Sequence, residues 1–123
     1  MPEITFRDGP EALGWLKANG HIAALASNRF PKTSAAISFV EQLYAAGAKR
    51  VFVPEDTIID DAEEHELGGA YSDSLVIEIP DSGLPAGLSN LYCQEATLEG
   101  YDLQQEPPPI IDGRFLFLWW DWR

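Results

Sequence analysis

Phe39-Val-Glu-Gln-Leu-Tyr-Ala-Ala-Gly47-Ala-Lys-Arg50-Val-Phe-Val53-Pro54 holds a helix, its stop and a strand in one run. Ile37, Val40, Leu43 and Tyr44 fall on one face at the helical period of about 3.6 residues. The pattern predicts a helix from a cap at Thr33 or Ser34 to about Ala46. Gly47 supplies the left-handed residue that ends many helices. Arg50–Val53 then reads as a short strand. Pro54 ends it, because proline cannot donate to a ladder.

Working back from this unit, His21-Ile-Ala-Ala-Leu-Ala-Ser27 is an apolar run after the breaker Asn19-Gly20, and it predicts a strand. Ahead of it, Asp8-Gly9-Pro10-Glu11 predicts a helix start. Asp8 is the expected cap, with Glu11 at the capping-box position. Ala12, Leu13 and Leu16 would form the buried stripe of that helix, with Trp15 at its edge.

Working forward, Glu55–Ala70 is polar and acidic, a loop with at most one helical turn, broken at Gly68-Gly69. Ser74–Ile79 alternates and predicts a half-buried strand, stopped by Pro80. Leu75, Ile77 and Ile79 face one way, and Val76 and Glu78 the other. Residues 85–99 predict a third helix with Leu88, Leu91, Tyr92, Glu95 and Leu98 near one face. Gln104–Pro109 reads as a stiff polar loop. Asp112-Gly113 signals a tight turn. Phe115-Leu-Phe-Leu-Trp-Trp-Asp-Trp122 is the strongest strand in the chain.

After the first helix the order is strand, helix, strand, strand, helix, strand. That is the split βαβ order of a ferredoxin-like α+β fold: a βαββαβ antiparallel sheet with an added N-terminal helix. Two helices would cover one sheet face and leave the other open.

The chain has 123 residues, which suits a single domain spanning 1–123. Its one cysteine, Cys93, excludes an intrachain disulfide framework and any multi-cysteine zinc site. Twenty acidic and eight basic residues give a net charge of −12. The distribution is uneven. Between Val51 and Gly113 there are fifteen carboxylates and no Lys or Arg, leaving five acids against all eight bases elsewhere. Such a surface repels phosphate, so nucleic acid and anionic membranes are disfavoured partners. A basic protein would be attracted. No run approaches the roughly 20 apolar residues of a membrane span, and the N-terminus is unlike a signal peptide. A cytoplasmic setting is expected.

Two groups of residues are candidates for binding. The first is acidic: Glu55, Asp56, Asp60, Asp61, Glu63, Glu64 and Glu66. Asp61 and His65 are four apart and could share a helix face toward a divalent metal. The stretch nevertheless lacks both the calcium-loop pattern and His-Glu-x-x-His. A solvated acidic loop is the favoured reading, since blocks of like charge are usually that. The second group lies on the last strand. Phe115, Phe117 and Trp119 point one way; Leu116, Leu118, Trp120 and Trp122 point the other. Both faces are apolar, so something must cover the side away from the helices. The cover is the N-terminal helix, a second copy, a ligand or a partner. No Gly-x-Ser-x-Gly elbow or Cys–His pairing marks a nucleophile, and no motif calls for a cofactor.

The segment 39–53, together with Gly68-Gly-Ala-Tyr-Ser-Asp-Ser-Leu-Val-Ile-Glu-Ile-Pro80, resembles a family of small uncharacterised bacterial proteins. That resemblance brings no activity with it. The small acidic character, the helix–Gly–strand unit and Gly100-Tyr101-Asp102 are similar to regulators of ribonuclease activity B. Those are ferredoxin-like proteins that bind and inhibit an RNA-degrading enzyme. Acidic immunity proteins of bacterial toxins are similar in the same way. Both resemblances imply binding rather than catalysis.

Two readings of function follow. In one, the chain is a non-enzymatic acidic binding or regulatory protein that contacts a basic protein surface. In the other, it is a ligand-binding or small enzyme domain with a pocket on the open sheet face of a dimer. A homodimer paired through the last strand is compatible with either.

Overall fold

A computed structural model describes residues 7–27, 29–98 and 110–120, with the side chains of residues 96–98 left aside. The elements are α1 (Ala12–Ala18), α2 (Thr33–Ala45), β1 (Arg50–Phe52), a 3-10 turn (Glu55–Thr57), α3 (Ala62–Glu66), β2 (Ser74–Glu78), α4 (Ala86–Leu98) and β3 (Phe115–Trp119). The architecture is mixed α+β. The sheet has three strands in the order β1-β2-β3, antiparallel throughout.

β2 is central, and all five of its residues are buried. One side of the sheet holds Val51, Leu75, Ile77, Leu116 and Leu118 against Val40, Leu43 and Leu88 of the helices. α1 packs on α2 and β1, with Ala12 and Leu16 buried. It therefore belongs to the core. Its cap is Glu11, whose carboxylate accepts from the backbone N–H of Leu13 and Gly14 at 2.9 and 2.8 Å. Asp8, the expected cap, instead pairs with Arg50 at 3.0 Å. The turn at Asp112-Gly113 forms as expected. Both residues have positive φ, and the Arg114 N–H closes it on the Ile111 carbonyl.

The ferredoxin-like order does not form among the described residues. In that order the 21–27 strand would lie between the strands at 74–78 and 115–119. Here those two pair directly, Ser74 with Trp119 through Glu78 with Phe115, and the slot is closed. Residues 21–27 make only an isolated parallel bridge, Leu25 to Ser72. The reason lies in their hydrogen bonds. The Ala24 N–H goes to the Thr33 hydroxyl, and the Ala23 N–H goes to His21 Nδ1. The Thr33 hydroxyl also donates to the His21 carbonyl at 2.7 Å. Side chains thus take the donors a ladder would use, and three alanines offer little strand preference against them. The same hydroxyl is lost to α2, whose cap residue Lys32 makes no side-chain bond to the helix.

The side of the sheet away from the helices is not open over β1 and β2. Phe52, Ser74, Val76 and Glu78 are buried. The Arg50 guanidinium stacks 4.3 Å from the Phe52 ring centre, and Arg114 lies 4.9 Å from that of Phe115. Between them Glu78 accepts from Arg114 at 2.8 Å and lies within ion-pair distance of Arg50 and Lys49. The Arg50 and Arg114 guanidiniums thus cover part of this face.

Glu78 and Glu11 make the fold sensitive to acid. The Arg114 hydrogen bond, against burial and with the charges of Arg114, Arg50 and Lys49, holds the Glu78 carboxyl below its ordinary value of 4.5. At Glu11, partial burial pushes upward. The bonds from Gly14, Tyr44 and Leu13, with the charge of Lys17, outweigh it and lower the carboxyl. A lowered folded pKa gives stability that is present above the unfolded value and lost as pH falls through the folded one. Glu78→Gln should therefore cost about 1–2 kcal/mol near neutrality, moderated by the exposed cations. The melting-temperature gap to wild type should hold steady above about pH 5 and close below about pH 4.5. A gap that persists unchanged to pH 3 would remove Glu78 from this account.

Candidate functional site

The acidic segment is built as two short turns on an exposed loop. Pro54 ends the strand pairing, and Glu55 and Asp56 open the 3-10 turn that follows. Asp61 then caps α3, its carboxylate accepting from the Glu64 N–H at 3.0 Å. That bond turns Asp61 away from the metal role its spacing suggested. His65 meets Asp60 instead. Among the described residues no three His, Cys, Asp or Glu side chains converge as metal ligands.

Two acidic residues reach back into the fold. Asp56 accepts from the Arg7 N–H at 3.3 Å. Glu64 meets the buried His21 ring, Nε2 to Oε2, at 2.8 Å. Because Nδ1 of His21 accepts from the Ala23 N–H, the ring proton sits on Nε2 and donates to Glu64. Glu55, Glu63 and Glu66 are exposed. Among the described residues, every ion pair made by Lys or Arg goes to Asp8, Glu78, Asp81 or Glu95. None goes to the 55–66 segment.

The loop rests on a tight backbone crossing. The Ile22 N–H donates to the Leu67 carbonyl at 3.1 Å, and Asn19 Nδ2 donates to the Ala70 carbonyl at 2.7 Å. Gly20 and Gly68 pass so closely that neither position has room for a side chain. In the sequence Gly68-Gly69 reads as a loop break and Asn19-Gly20 as the breaker ahead of residue 21. The two pairs meet in space and interlock.

The last strand divides as its alternation predicts, with Leu116, Leu118 and Trp120 buried and Trp119 exposed. Trp120 is 1% exposed and packs edge-on against Phe30 and Phe39. Its indole N–H donates to Glu95 Oε1 at 3.1 Å. Glu95, itself buried, also accepts a two-pronged bond from Arg29 at 2.8 and 3.0 Å. Trp120 is thus an interior anchor and is withdrawn from any binding surface. Trp119 remains 48% exposed, its indole N–H donating to Asp73 at 3.2 Å. Phe117 is half-buried. Trp122, Gly100-Tyr101-Asp102 and the Gln104–Pro109 loop lie outside the described residues.

Sequence reading passed over Ile22 and Leu67, which are 67% and 46% exposed. Ile22 stood in the expected strand, where alternation gave no reason to single it out. The available signal was the pair of glycine breakers, which together hold these two residues side by side. Compared with protein-family models, curated proteins and solved structures, the chain matches none, so the site rests on its own geometry.

Proposed function

We propose that this is a non-enzymatic binding or regulatory protein whose acidic 55–66 segment meets a basic protein surface. One observation carries the reading: among the described residues every Lys or Arg ion pair goes to Asp8, Glu78, Asp81 or Glu95, and none to this segment. A negative field of this kind speeds encounter with a basic partner and adds less to residence time. Glu55, Glu63 and Glu66 supply the field at the surface. Asp56, Asp61 and Glu64 hold the loop's shape. Trp119 is kept in this reading as an aromatic contact, and Trp120 is not.

The test is selection of a displayed random peptide library on the immobilised protein at low salt. Enriched peptides should be rich in Lys and Arg. Their affinity should weaken at least about tenfold between 50 and 300 mM salt as screening shortens the field. Glu55→Gln/Glu63→Gln/Glu66→Gln should slow association more than it speeds dissociation. Enrichment without a basic bias, or binding indifferent to salt, would overturn the reading.

A further inference from the structure

The residues left outside on the 19–27 loop are the wrong ones for a surface with nothing to bind. His21 is 5% exposed and Ala23, Ala24, Leu25 and Ala26 are buried, while Ile22 between them is 67% exposed. Across the crossing, Leu67 is 46% exposed. The Ile22 N–H to Leu67 carbonyl bond of 3.1 Å holds the two backbones together. The support beneath them is built from three contacts: the Gly20–Gly68 approach, the Asn19–Ala70 bond and the His21–Glu64 pair. An apolar pair held this way needs no reordering to make contact, which is what an interface anchor requires.

The surroundings say what would cover it. Leu67 follows α3 directly, so the pair stands on the same loop as Glu63 and Glu66 of that helix and Asp60 and Asp61 ahead of it. On the other side the Ile22 carbonyl accepts from the Thr33 N–H, next to the cation Lys32. We infer that Ile22 and Leu67 are the apolar anchor of a docking surface for an amphipathic protein segment. That segment places aliphatic side chains on the pair and its Lys or Arg residues over the carboxylates of α3. The inference rests on the reading under Proposed function. It adds that charge alone is insufficient: the partner must also carry an apolar face.

Two synthetic peptides test this by fluorescence anisotropy at low salt. They carry the same number of lysines at the same spacing, with leucine in one and serine in the other at the intervening positions. The leucine peptide should bind wild type at least tenfold more tightly. Ile22→Ser/Leu67→Ser should abolish that difference and leave the serine peptide's affinity unchanged. Both side chains are exposed, so the variant's melting temperature should match wild type. Equal binding of the two peptides to wild type, or a preference that survives in the double variant, overturns the anchor and leaves the acidic reading standing. Failure of both peptides to bind overturns the acidic reading, and the anchor with it.

Discussion

Trp120→Ala is expected to cost about 3–5 kcal/mol, close to the whole stability of a small domain. The ring is the largest fully buried side chain among the described residues. It joins the end of β3 to Phe30 and Phe39, with ring centres 5.3 and 6.0 Å away. Truncation would leave a cavity between the sheet and α2. It would also strip Glu95 of the indole donor, while Arg29 remains as the carboxylate's partner. Trp120→Phe separates the two effects. It keeps most of the volume and loses the N–H, so it should cost about 1–2 kcal/mol. Glu95→Gln weakens the same cluster from the other side: its amide oxygen still accepts from the indole, and its NH2 group faces Arg29 where Oε2 accepted. The Trp120→Phe and Glu95→Gln losses should depart from additivity in the double variant, because Trp120 and Arg29 share one carboxylate. Urea unfolding followed by circular dichroism measures all four. A Trp120→Ala loss under about 1.5 kcal/mol would mean that the ring is not part of the core.

The buried position of Trp120 shows how far alternation can be read. Period two along Phe115–Trp120 assigns every side chain of β3 to its face correctly, because strand geometry leaves no other choice. The helix at 33–45 was equally legible from its apolar spacing and from Gly47. Alternation could not say which apolar face needs a cover. The face away from the helices is screened over β1 and β2 by Arg50 and Arg114, whose guanidiniums sit on Phe52 and Phe115. Those contacts join residues far apart in the chain, and no local pattern announces them.

The strand expected at residues 21–27 fails to form for a related reason. An apolar run with breakers on both sides fits a buried strand and a buried irregular segment alike. The choice between them was made by Thr33 and His21, whose side chains occupy the backbone groups of the run. The candidate site shows the same division. Its acidic residues were plain in the sequence, since an absence of Lys and Arg is simply counted. The crossing that supports them, and the two exposed aliphatic residues upon it, depend on Asn19-Gly20 meeting Gly68-Gly69.

That crossing makes Gly68→Ala the second large expected loss, about 3 kcal/mol or more. Gly68 has φ +117°, a region that side chains of the L series rarely adopt. A Cβ there would also collide with the Gly20 carbonyl and come within 3.0 Å of the His21 backbone nitrogen. Neither obstacle is a flexible side chain that could swing aside. Gly83 provides the comparison. Its φ is +111°, almost the same, yet nothing lies within 4 Å of where its Cβ would stand. Gly83→Ala therefore carries the backbone strain alone, about 1–2 kcal/mol. The excess for Gly68→Ala measures the crossing itself. The excess should be at least about 1.5 kcal/mol, since relief of the collision means giving up the Asn19–Ala70 bond or the His21–Glu64 pair. Equal losses at the two positions would mean that the loops slide past one another at little cost. The platform beneath Ile22 and Leu67 would then be soft, and the leucine peptide's advantage should be small. A large excess, with that advantage reduced in Gly68→Ala, would tie the rigidity of the crossing to the binding it supports.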